Sequence, residues 1–231
     1  MKSMQDLKRV LREHPLTRGV YKFFGNMKDS SKLGLNRLFF GRSFTMKYFD
    51  HFFTASPDPW EFRGSPIQEE RRSLIIRLLS CKRYSRLLEI GCAQGWMTLR
   101  LAEMADQVAS IDISRVALEG AREHCAGLYN VTFSHMDLVV DPLPAGSFDC
   151  IVCAGVLVYL PAAAESDVCH KVVASLECGG ILLLEHVREA YPGEVPGRII
   201  HELYRRKPEL KQIHHLEVDN YAITVFRKGS E

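Results

Sequence analysis

The sequence predicts an α/β fold in which a mostly parallel sheet ends in an antiparallel hairpin. Short apolar runs such as 87–90 and 148–153 have the length of buried parallel strands. Stretches with helical spacing of apolar residues separate these runs, and strands that alternate with helices form a parallel sheet. The last two runs, 211–218 and 221–227, meet at Asp219 and Asn220, a two-residue polar connection typical of a hairpin.

The elements follow one another from residue 65 onward. Ser65 is a favourable N-cap, Pro66 suits the first helical position, and Gln68 completes a capping box, so a helix is predicted to begin here and run to about Leu79. The later predicted elements are a strand at 87–90, a helix at 96–105, a strand at 107–111, a helix from Ser114 through Cys125, strands at 130–135 and 148–153, a helix at 162–177, a strand at 181–186 and the hairpin.

Two regions are predicted: an N-terminal helical and aromatic extension at 1–60, and the main α/β domain at 61–231. Residues 1–47 hold eleven Lys or Arg against three acids, with a basic helix expected near 3–13. Aromatic residues are frequent from Tyr21 to Phe53. The extension is interpreted as a lid over a ligand; contact with an anionic membrane surface is a less favoured alternative, and simple packing on the core is another.

The stretch 86–112 predicts a nucleoside site of the form strand, loop, helix, strand, acid. Gly91 and Gly95 allow close approach of the backbone, Glu89 can bind a polar group, and Asp112 can accept hydrogen bonds from both ribose hydroxyls. A dinucleotide fingerprint needs glycine where this chain has Ala93 and Trp96, and Glu89 would repel a pyrophosphate. S-adenosylmethionine is therefore favoured over a dinucleotide, and a doubly wound domain without such a ligand is the remaining alternative.

Several motifs resemble the class I S-adenosylmethionine-dependent methyltransferases. Residues 89–95 are similar to motif I of that family, Ile111 and Asp112 to its motif II, and the acid expected after the third strand is Asp137. The resemblance implies a Rossmann-like class I methyltransferase fold for 61–231 and S-adenosyl-L-methionine as cofactor. The residues that it assigns to the cofactor are Glu89, Gly91, Cys92, Gly95, Asp112, Ile113, Asp137, Leu138 and Ala154, and two residues outside the motifs, Trp60 and Arg71, are assigned to the same ligand.

A narrower resemblance joins the chain to the nodulation-protein-S-like methyltransferases. It is carried by segments outside the motifs: Asp58-Pro59-Trp60, Ser65-Pro66, Glu70-Arg71, Glu185-His186-Val187, Tyr191-Pro192, Gly197 and His201-Glu202. Founding members of that group N-methylate the amino sugar of a chitooligosaccharide signal. The resemblance implies N-methylation of a small-molecule amine, either an amino sugar or a natural-product intermediate, although Ile67 and Gln68 stand where Tyr-Glu is usual.

Methyl transfer needs alignment of donor and acceptor, exclusion of water and removal of one proton from the acceptor. His186 ends a strand at the sheet edge where ligands of open α/β folds bind, so it is expected to face the cleft as a base or orienting group. His201 is expected to be its partner or a second substrate contact; a hydrogen-bonded structural role is the alternative for both. Tyr159, with Trp60 and Tyr48, can present an aromatic face to the sulfonium.

Composition and charge exclude other classes. A net charge of +2 and the absence of a basic stripe on the catalytic part argue against nucleic acid, and no run of 18 apolar residues predicts a membrane span. No secretion signal is recognised, so a cytoplasmic location with reduced cysteines is expected, and no metal site is predicted. The remaining alternatives are O-methylation of a hydroxyl or carboxylate, a nicotinamide oxidoreductase and a non-catalytic nucleoside-binding protein; the oligomeric state stays open.

Overall fold

A computed structural model of the chain describes residues 44–80, 82–189 and 194–229. The expected helix near 3–13 and most of the aromatic extension therefore lie outside the described residues. The described elements are α1 (Met46–Ala55), α2 (Pro66–Leu79), β1 (Tyr84–Ile90), α3 (Thr98–Ala102), β2 (Ala105–Asp112), α4 (Arg115–His124), β3 (Val131–His135), β4 (Phe148–Ala154), α5 (Glu165–Ser175), β5 (Leu176–Val187), α6 (Gly197–Arg205), β6 (Leu210–Val218) and β7 (Tyr221–Lys228), with 3₁₀ turns at Leu157–Tyr159 and Ala162–Ala164.

One seven-stranded sheet organises these elements, in the order β3-β2-β1-β4-β5-β7-β6. The first five strands in this order pair in parallel, whereas β7 is antiparallel to both β5 and β6. Asp219, with a φ of +50°, turns the chain between β6 and β7. The predicted parallel sheet with a terminal hairpin is confirmed. The chain reverses its order across the sheet between β1 and β4, and this is where open α/β sheets bind ligands.

Alternating residues of the central strands supply two cores on opposite faces of the sheet, as the pleat requires. Leu88 and Cys153 belong to the core beneath α5 and α6, whereas Leu87 and Cys150 belong to the core beneath α2 and α3. Cys150 and Cys153, three positions apart on β4, thus point to opposite faces of the sheet.

Two predicted helices are shorter in the structure. The helix expected at 96–105 spans only Thr98–Ala102, because the chain must already enter β2 at Ala105, and the Met104 carbonyl accepts a bond from Tyr84 at the start of β1. The helix expected at 162–177 begins as a 3₁₀ turn and ends at Ser175, since Leu176 adopts an extended conformation and pairs with Phe148.

Helix α1 packs across the body of the domain through a polar anchor and an aromatic side. The Asp50 carboxylate accepts hydrogen bonds from the Ser114 hydroxyl at 2.7 Å and from the backbone N–H groups of Arg115 and Val116 at 2.9 and 3.3 Å. Asp50 therefore supplies, from another helix, a second acceptor for the first turn of α4 beside Ser114, whose hydroxyl oxygen accepts the N–H of Ala117. Phe49 and Phe53 are buried on the same helix and face the sheet edge.

Among the residues that the structure describes, no helix combines the length and the apolar character required to cross a bilayer.

Candidate cofactor and acceptor site

A cavity of about 230 Å³ lies at the carboxyl ends of β1, β2, β4 and β5, beneath α1. Of the residues that the sequence assigned to the cofactor, ten line it: Glu89, Gly91, Cys92, Asp112, Ile113, Asp137, Leu138, Ala154, Trp60 and Arg71. Gly95 does not, because it turns toward α4, where an added Cβ would lie 2.8 Å from Cys125 Sγ. Tyr159 also lines the cavity. Binding of the cofactor by these residues stays a prediction.

The loop after β1 approaches the neighbouring segments closely. Gly91 has a φ of +78°, and a Cβ built on it would lie 2.6 Å from Val156. The N–H groups of Gly91 and Cys92 both donate to the Ile111 carbonyl, at 2.8 and 3.1 Å, which joins the loop to β2. Glycine at position 91 is therefore required by both its backbone conformation and its surroundings.

Asp112, at the end of β2, holds the same loop from the other side. Its carboxylate accepts the N–H of Ala93 at 2.9 Å and that of Ser114 at 2.8 Å. Burial raises the pKa of Asp112, and these backbone donors oppose the rise. Each carboxylate oxygen has a further lone pair, so Asp112 can still accept hydrogen bonds from a ligand in the cavity.

Glu89 is the other buried carboxyl of the site, and it is only 3% exposed. One oxygen, Oε2, accepts hydrogen bonds from the hydroxyls of Thr98 at 2.6 Å and Ser110 at 2.7 Å. Burial raises the pKa of Glu89 to about 7, and the nearby Asp112 adds to this rise, while the two hydroxyls oppose it. A cation that entered the cavity would restore the ionised form.

Asp137 and Leu138 lie on a loop that a lysine from another element supports. Lys171 of α5 donates from Nζ to the carbonyls of Leu138, Val139 and Asp141 at 3.1, 3.3 and 3.1 Å. Three carbonyl groups of an irregular segment are thereby satisfied, which fixes the path of the loop along the cavity.

The aromatic end of the cavity is formed by α1 and by the 3₁₀ turn after β4. Tyr159 contacts Phe44 and Phe49 edge to face, with ring centroids 5.0 and 5.3 Å apart. Glu194 lines the cavity here too, next to Val195, whose N–H donates to the Val158 carbonyl at 2.9 Å. Burial, and after it Glu194, raises the pKa of Tyr48. A carboxylate therefore lies among aromatic rings at this end.

An ion pair that the sequence did not predict crosses the floor of the cavity. Arg71 of α2 contacts Glu185 of β5 at 2.5 Å, with Glu185 only 1% exposed, and the Arg71 guanidinium also lies 4.9 Å from the centroid of the Tyr221 ring. Arg71 thus lines the cavity, and its contact with the cofactor stays a prediction. Because the positive charge of Arg71 offsets the negative charge of Glu185, the pair adds little net charge to the cavity.

The expectation that His186 projects into the cleft is wrong. Alternation along β5 directs Glu185 into the cavity and His186 to the opposite face, where His186 is fully buried. Its Nε2 accepts the N–H of Leu157 at 3.2 Å, and its Nδ1 lies 3.1 Å from His201 Nε2. His201 is also buried, in the middle of α6 rather than at its start. The two imidazoles are paired as predicted, but behind the cavity wall.

Sequence reasoning missed three residues that line the cavity or support its wall, for identifiable reasons. Glu185 was noticed only as part of the narrower resemblance, although its place one residue before His186 could have shown that only one of the two faces the cavity. Glu194 follows a Tyr-Pro-Gly segment, and no motif marks it. Lys171 occupies an ordinary helix position, and its role depends on a loop that lies about thirty residues away in sequence.

Comparisons with known proteins agree with this geometry. Residues 87–180 match the family described as "Methyltransferase domain". Nodulation protein S of Sinorhizobium fredii (strain NBRC 101917 / NGR234) is 33% identical over 132 residues, which are 54% of this chain and 59% of that protein. Nodulation protein S of Rhizobium tropici is 30% identical, over 59% of this chain and 58% of that protein. The chain thus spans less than two thirds of the length of these curated relatives.

Solved structures extend the likeness over more of the chain. The N-methyltransferase NodS from Bradyrhizobium japonicum WM9, crystallised with S-adenosyl-L-homocysteine, is 25% identical, with a TM-score of 0.73 over 81% of this chain and 100% of that chain. The [4+2]-cyclase SpnF shares the fold at 19% identity, with a TM-score of 0.62 over 71% of this chain and 82% of that chain, which shows that the fold alone does not determine the reaction. The chain therefore has the class I methyltransferase fold, matches the methyltransferase domain over residues 87–180, and resembles nodulation protein S.

Proposed function

We propose that this chain is an S-adenosylmethionine-dependent methyltransferase that methylates the nitrogen of a small-molecule amine. The observation that carries the proposal is the arrangement of Glu89 and Asp112 at the carboxyl ends of adjacent strands, with the glycine-containing loop between them and all three lining one cavity. One carboxyl group suits an ammonium and the other a pair of ribose hydroxyls, which are the two polar ends of this cofactor.

The same residues suit a dinucleotide poorly. A pyrophosphate binds at the N-terminus of a helix, but α3 has only five residues and therefore a small helix dipole. Glu89 lies beside this loop, and a second negative charge there would be repelled. These features favour S-adenosylmethionine over a nicotinamide cofactor, and crystallisation of the similar NodS with S-adenosyl-L-homocysteine supports the same choice.

The cofactor supplies a methyl group on a positively charged sulfur, ready for transfer to a nucleophile. This chain's residues bind, align and exclude water. In the proposal Glu89 holds the ammonium, Asp112 the ribose, and the loop with Asp137 and Leu138 the base. Tyr159 and Trp60 present aromatic faces to the positive charge, and α1 closes the cavity above them.

An amine acceptor is favoured by the aromatic end of the cavity. Glu194 provides a carboxylate there, and the rings of Phe44, Phe49 and Tyr159 provide apolar surface and electron-rich faces. An amine that arrives protonated and the methylammonium product both carry a positive charge that these groups stabilise, although the nitrogen must be deprotonated when it accepts the methyl group. A neutral hydroxyl gains only a hydrogen bond from the carboxylate. The N-methyltransferase activity of the similar NodS supports the same preference over O-methylation.

The proposed organisation keeps the two regions that the sequence predicted. Residues 1–60 are an extension that includes the covering helix α1, and 61–231 are the methyltransferase domain. The partner that this arrangement fits is a small-molecule acceptor.

The proposal is tested by incubating the full chain with S-adenosylmethionine labelled in its methyl group and with matched pairs of small amines and alcohols, read by mass spectrometry. We expect label on nitrogen in preference to oxygen. Glu194→Gln should lower kcat/KM for amines about tenfold, since it removes a charged partner, and should leave S-adenosylhomocysteine affinity unchanged. Glu189→Gln, at an exposed glutamate nearby, is the control. Preferential labelling of hydroxyl oxygen would contradict the amine assignment.

A further inference from the structure

We propose that His186 is a positioning residue that holds the cofactor-side wall of the cavity through the backbone N–H of Leu157, and that it does not take a proton from the acceptor. The wall segment in question is 155–161, which follows β4 and includes the 3₁₀ turn Leu157–Tyr159. This inference rests on the proposed function for the identity of the ligand.

His186 stands in a continuous chain of hydrogen bonds that leads from the wall segment to the hairpin. Leu157 N–H lies 3.2 Å from His186 Nε2, and His186 Nδ1 lies 3.1 Å from His201 Nε2. His201 Nδ1 lies 2.7 Å from the Thr224 hydroxyl, which lies 2.9 Å from His215 Nδ1 on the outer strand. Only the last of these imidazoles is partly exposed.

The backbone N–H of Leu157 sets the direction of the bonds as far as Thr224. A backbone N–H can only donate, so Nε2 of His186 must carry its lone pair and Nδ1 must carry the ring proton. His186 then donates to His201 Nε2, and His201 donates from Nδ1 to the Thr224 oxygen. The Thr224 hydroxyl then donates its own proton to His215 Nδ1. These tautomers follow from the hydrogen-bond network, in which each ring nitrogen of His186 and His201 has one partner.

Electrostatics agrees with one proton on each buried ring. Burial lowers the pKa of His186 well below its usual range, and His201 and Arg71 act in the same direction. Burial, followed by His215 and Arg205, lowers the pKa of His201 to about 3. Both rings are therefore neutral near pH 7. The lone pair that a general base would use is already bonded to Leu157, on the face of β5 away from the cavity.

The segment held by Leu157 forms much of the cavity wall. Val156, Val158, Tyr159, Leu160 and Pro161 all line the cavity. Val156 packs on the loop after β1, and its side chain occupies the place that a side chain on Gly91 would need. The carbonyl of Val158 accepts the N–H of Val195, next to Glu194. A displacement of Leu157 would thus disturb both the cofactor loop and the acceptor end.

A glycine lets α6 approach β5 closely enough for the hydrogen bond between His186 and His201. Gly197, the first residue of α6, lies so near β5 that a Cβ on it would overlap the Val187 carbonyl oxygen and lie 2.8 Å from His186 Cβ. This approach brings His201, four residues later on α6, within hydrogen-bond distance of His186. Gly197, His186 and His201 all belong to the segments that carry the narrower resemblance. In the structure they lie together where α6 packs against β5.

The two ends of the imidazole can be tested separately with a matched pair of variants. Glutamine can place its amide oxygen near the position of Nε2, so His186→Gln keeps the acceptor for Leu157. Asparagine is shorter and mimics Nδ1, so His186→Asn keeps the donor to His201 and loses that acceptor. Titration calorimetry with S-adenosylhomocysteine and amide hydrogen exchange at Leu157 provide the two readouts.

We expect His186→Gln to bind S-adenosylhomocysteine within about threefold of the wild type and to keep the Leu157 N–H protected. His186→Asn should bind about tenfold more weakly and lose that protection, because a buried N–H is left without an acceptor. Equal loss of affinity in both variants, or no loss in His186→Asn, would overturn the proposal.

A measurement on the wild type covers the case in which the variants fold poorly. Imidazole ¹⁵N shifts at pH 7 should show His186 with its proton on Nδ1 and none on Nε2. A proton on Nε2 would overturn the proposal directly. If the wild type fails to bind S-adenosylhomocysteine, the proposed function is refuted, while the ¹⁵N shifts and the exchange of Leu157 still decide the role of His186.

Discussion

Glu89 and Asp112 differ in what a ligand would do to them. Asp112 already accepts two backbone N–H groups, whereas Glu89 is held by two neutral hydroxyls, and burial brings its pKa to about 7. Because the pKa of Glu89 lies near neutrality, its protonation is sensitive to any charge that enters the cavity.

Binding of S-adenosylhomocysteine should release a proton from Glu89. The carboxyl is largely protonated below about pH 7 in the free protein, and a ligand ammonium beside it favours the ionised form, so the pKa falls on binding. Affinity should therefore rise as the pH increases from 5 to 7 and then level off. Calorimetry at pH 6.5 in buffers of different ionisation enthalpy measures the proton release directly. Glu89→Gln should abolish it, and a wild-type protein that releases no proton would refute the pairing.

Gly91 should tolerate no side chain. A φ of +78° disfavours an L residue, and the added Cβ would lie 2.6 Å from Val156, so Gly91→Val must move the loop or the wall segment. We expect the variant to lose S-adenosylhomocysteine binding by calorimetry. Gly127→Val, at a glycine with open space around it, is the matched control and should bind normally. Normal binding by Gly91→Val would mean that the loop does not contact the cofactor.

Helix α5 acts on the site at the scale of an element, through Lys171. Its ammonium holds three carbonyls of the loop 137–141, so Lys171→Met should release that loop without changing a residue in the cavity. We expect S-adenosylhomocysteine to bind about tenfold more weakly, with the unfolding transition still cooperative. Lys211→Met, at an exposed lysine on β6, is the control. Unchanged affinity in Lys171→Met would show that the loop keeps its path without the lysine.

Helix α1 is attached to the body by Asp50, and this contact should govern how well the cavity stays closed. Loss of a side chain that accepts N–H groups at the start of a helix costs roughly 1 kcal/mol, so Asp50→Ala should let α1 open more often and speed release of S-adenosylhomocysteine about fivefold. Stopped-flow displacement measures this rate. Lys47→Ala, at an exposed position of the same helix, should leave the rate unchanged. If Asp50→Ala and Lys47→Ala release the ligand equally, α1 is not a lid.

The elements themselves were largely predictable from local pattern. The run 87–90 reads as a buried strand, Ser65 and Pro66 begin a helix where the sequence places it, and Asp219 with Asn220 makes the final turn. The ends of α3 and α5 were not predictable, because they depend on where the next strand finds its partner. Met104 and Leu176 leave helical geometry to join β1 and β4, which are distant in sequence.

Site residues that belong to a ligand-binding motif were predictable from the sequence. Residues that act on the site through another residue were not. Glu89, Gly91 and Asp112 fall in the cavity because they follow strand ends. The orientation of His186 depends on the N–H of Leu157, which is 29 positions away, and the role of Asp50 depends on α4, which is more than 60 positions away. Pairings of this kind are set by tertiary structure, which the sequence pattern does not display.

At the scale of the whole molecule, the order of strands explains why these residues meet. β1 lies between β2 and β4, so the chain passes to opposite sides of β1 in the two halves of the sheet. The loops after β1, β2 and β4 therefore open onto one crevice, and α1 closes it from above. Distant parts of the chain, from Phe44 to Glu194, contribute to a single cavity.

The central claim is that this cavity binds S-adenosylmethionine through Asp112. Its most direct test is calorimetric titration of the full chain with S-adenosylhomocysteine and, separately, with NAD. We expect one S-adenosylhomocysteine per chain and no binding of NAD; Asp112→Ala should weaken binding by roughly 1.5 to 3 kcal/mol, and Asp106→Ala, at an exposed aspartate of the same strand, should not. Binding of NAD in place of S-adenosylhomocysteine, or unchanged affinity in a folded Asp112→Ala protein, would contradict the account.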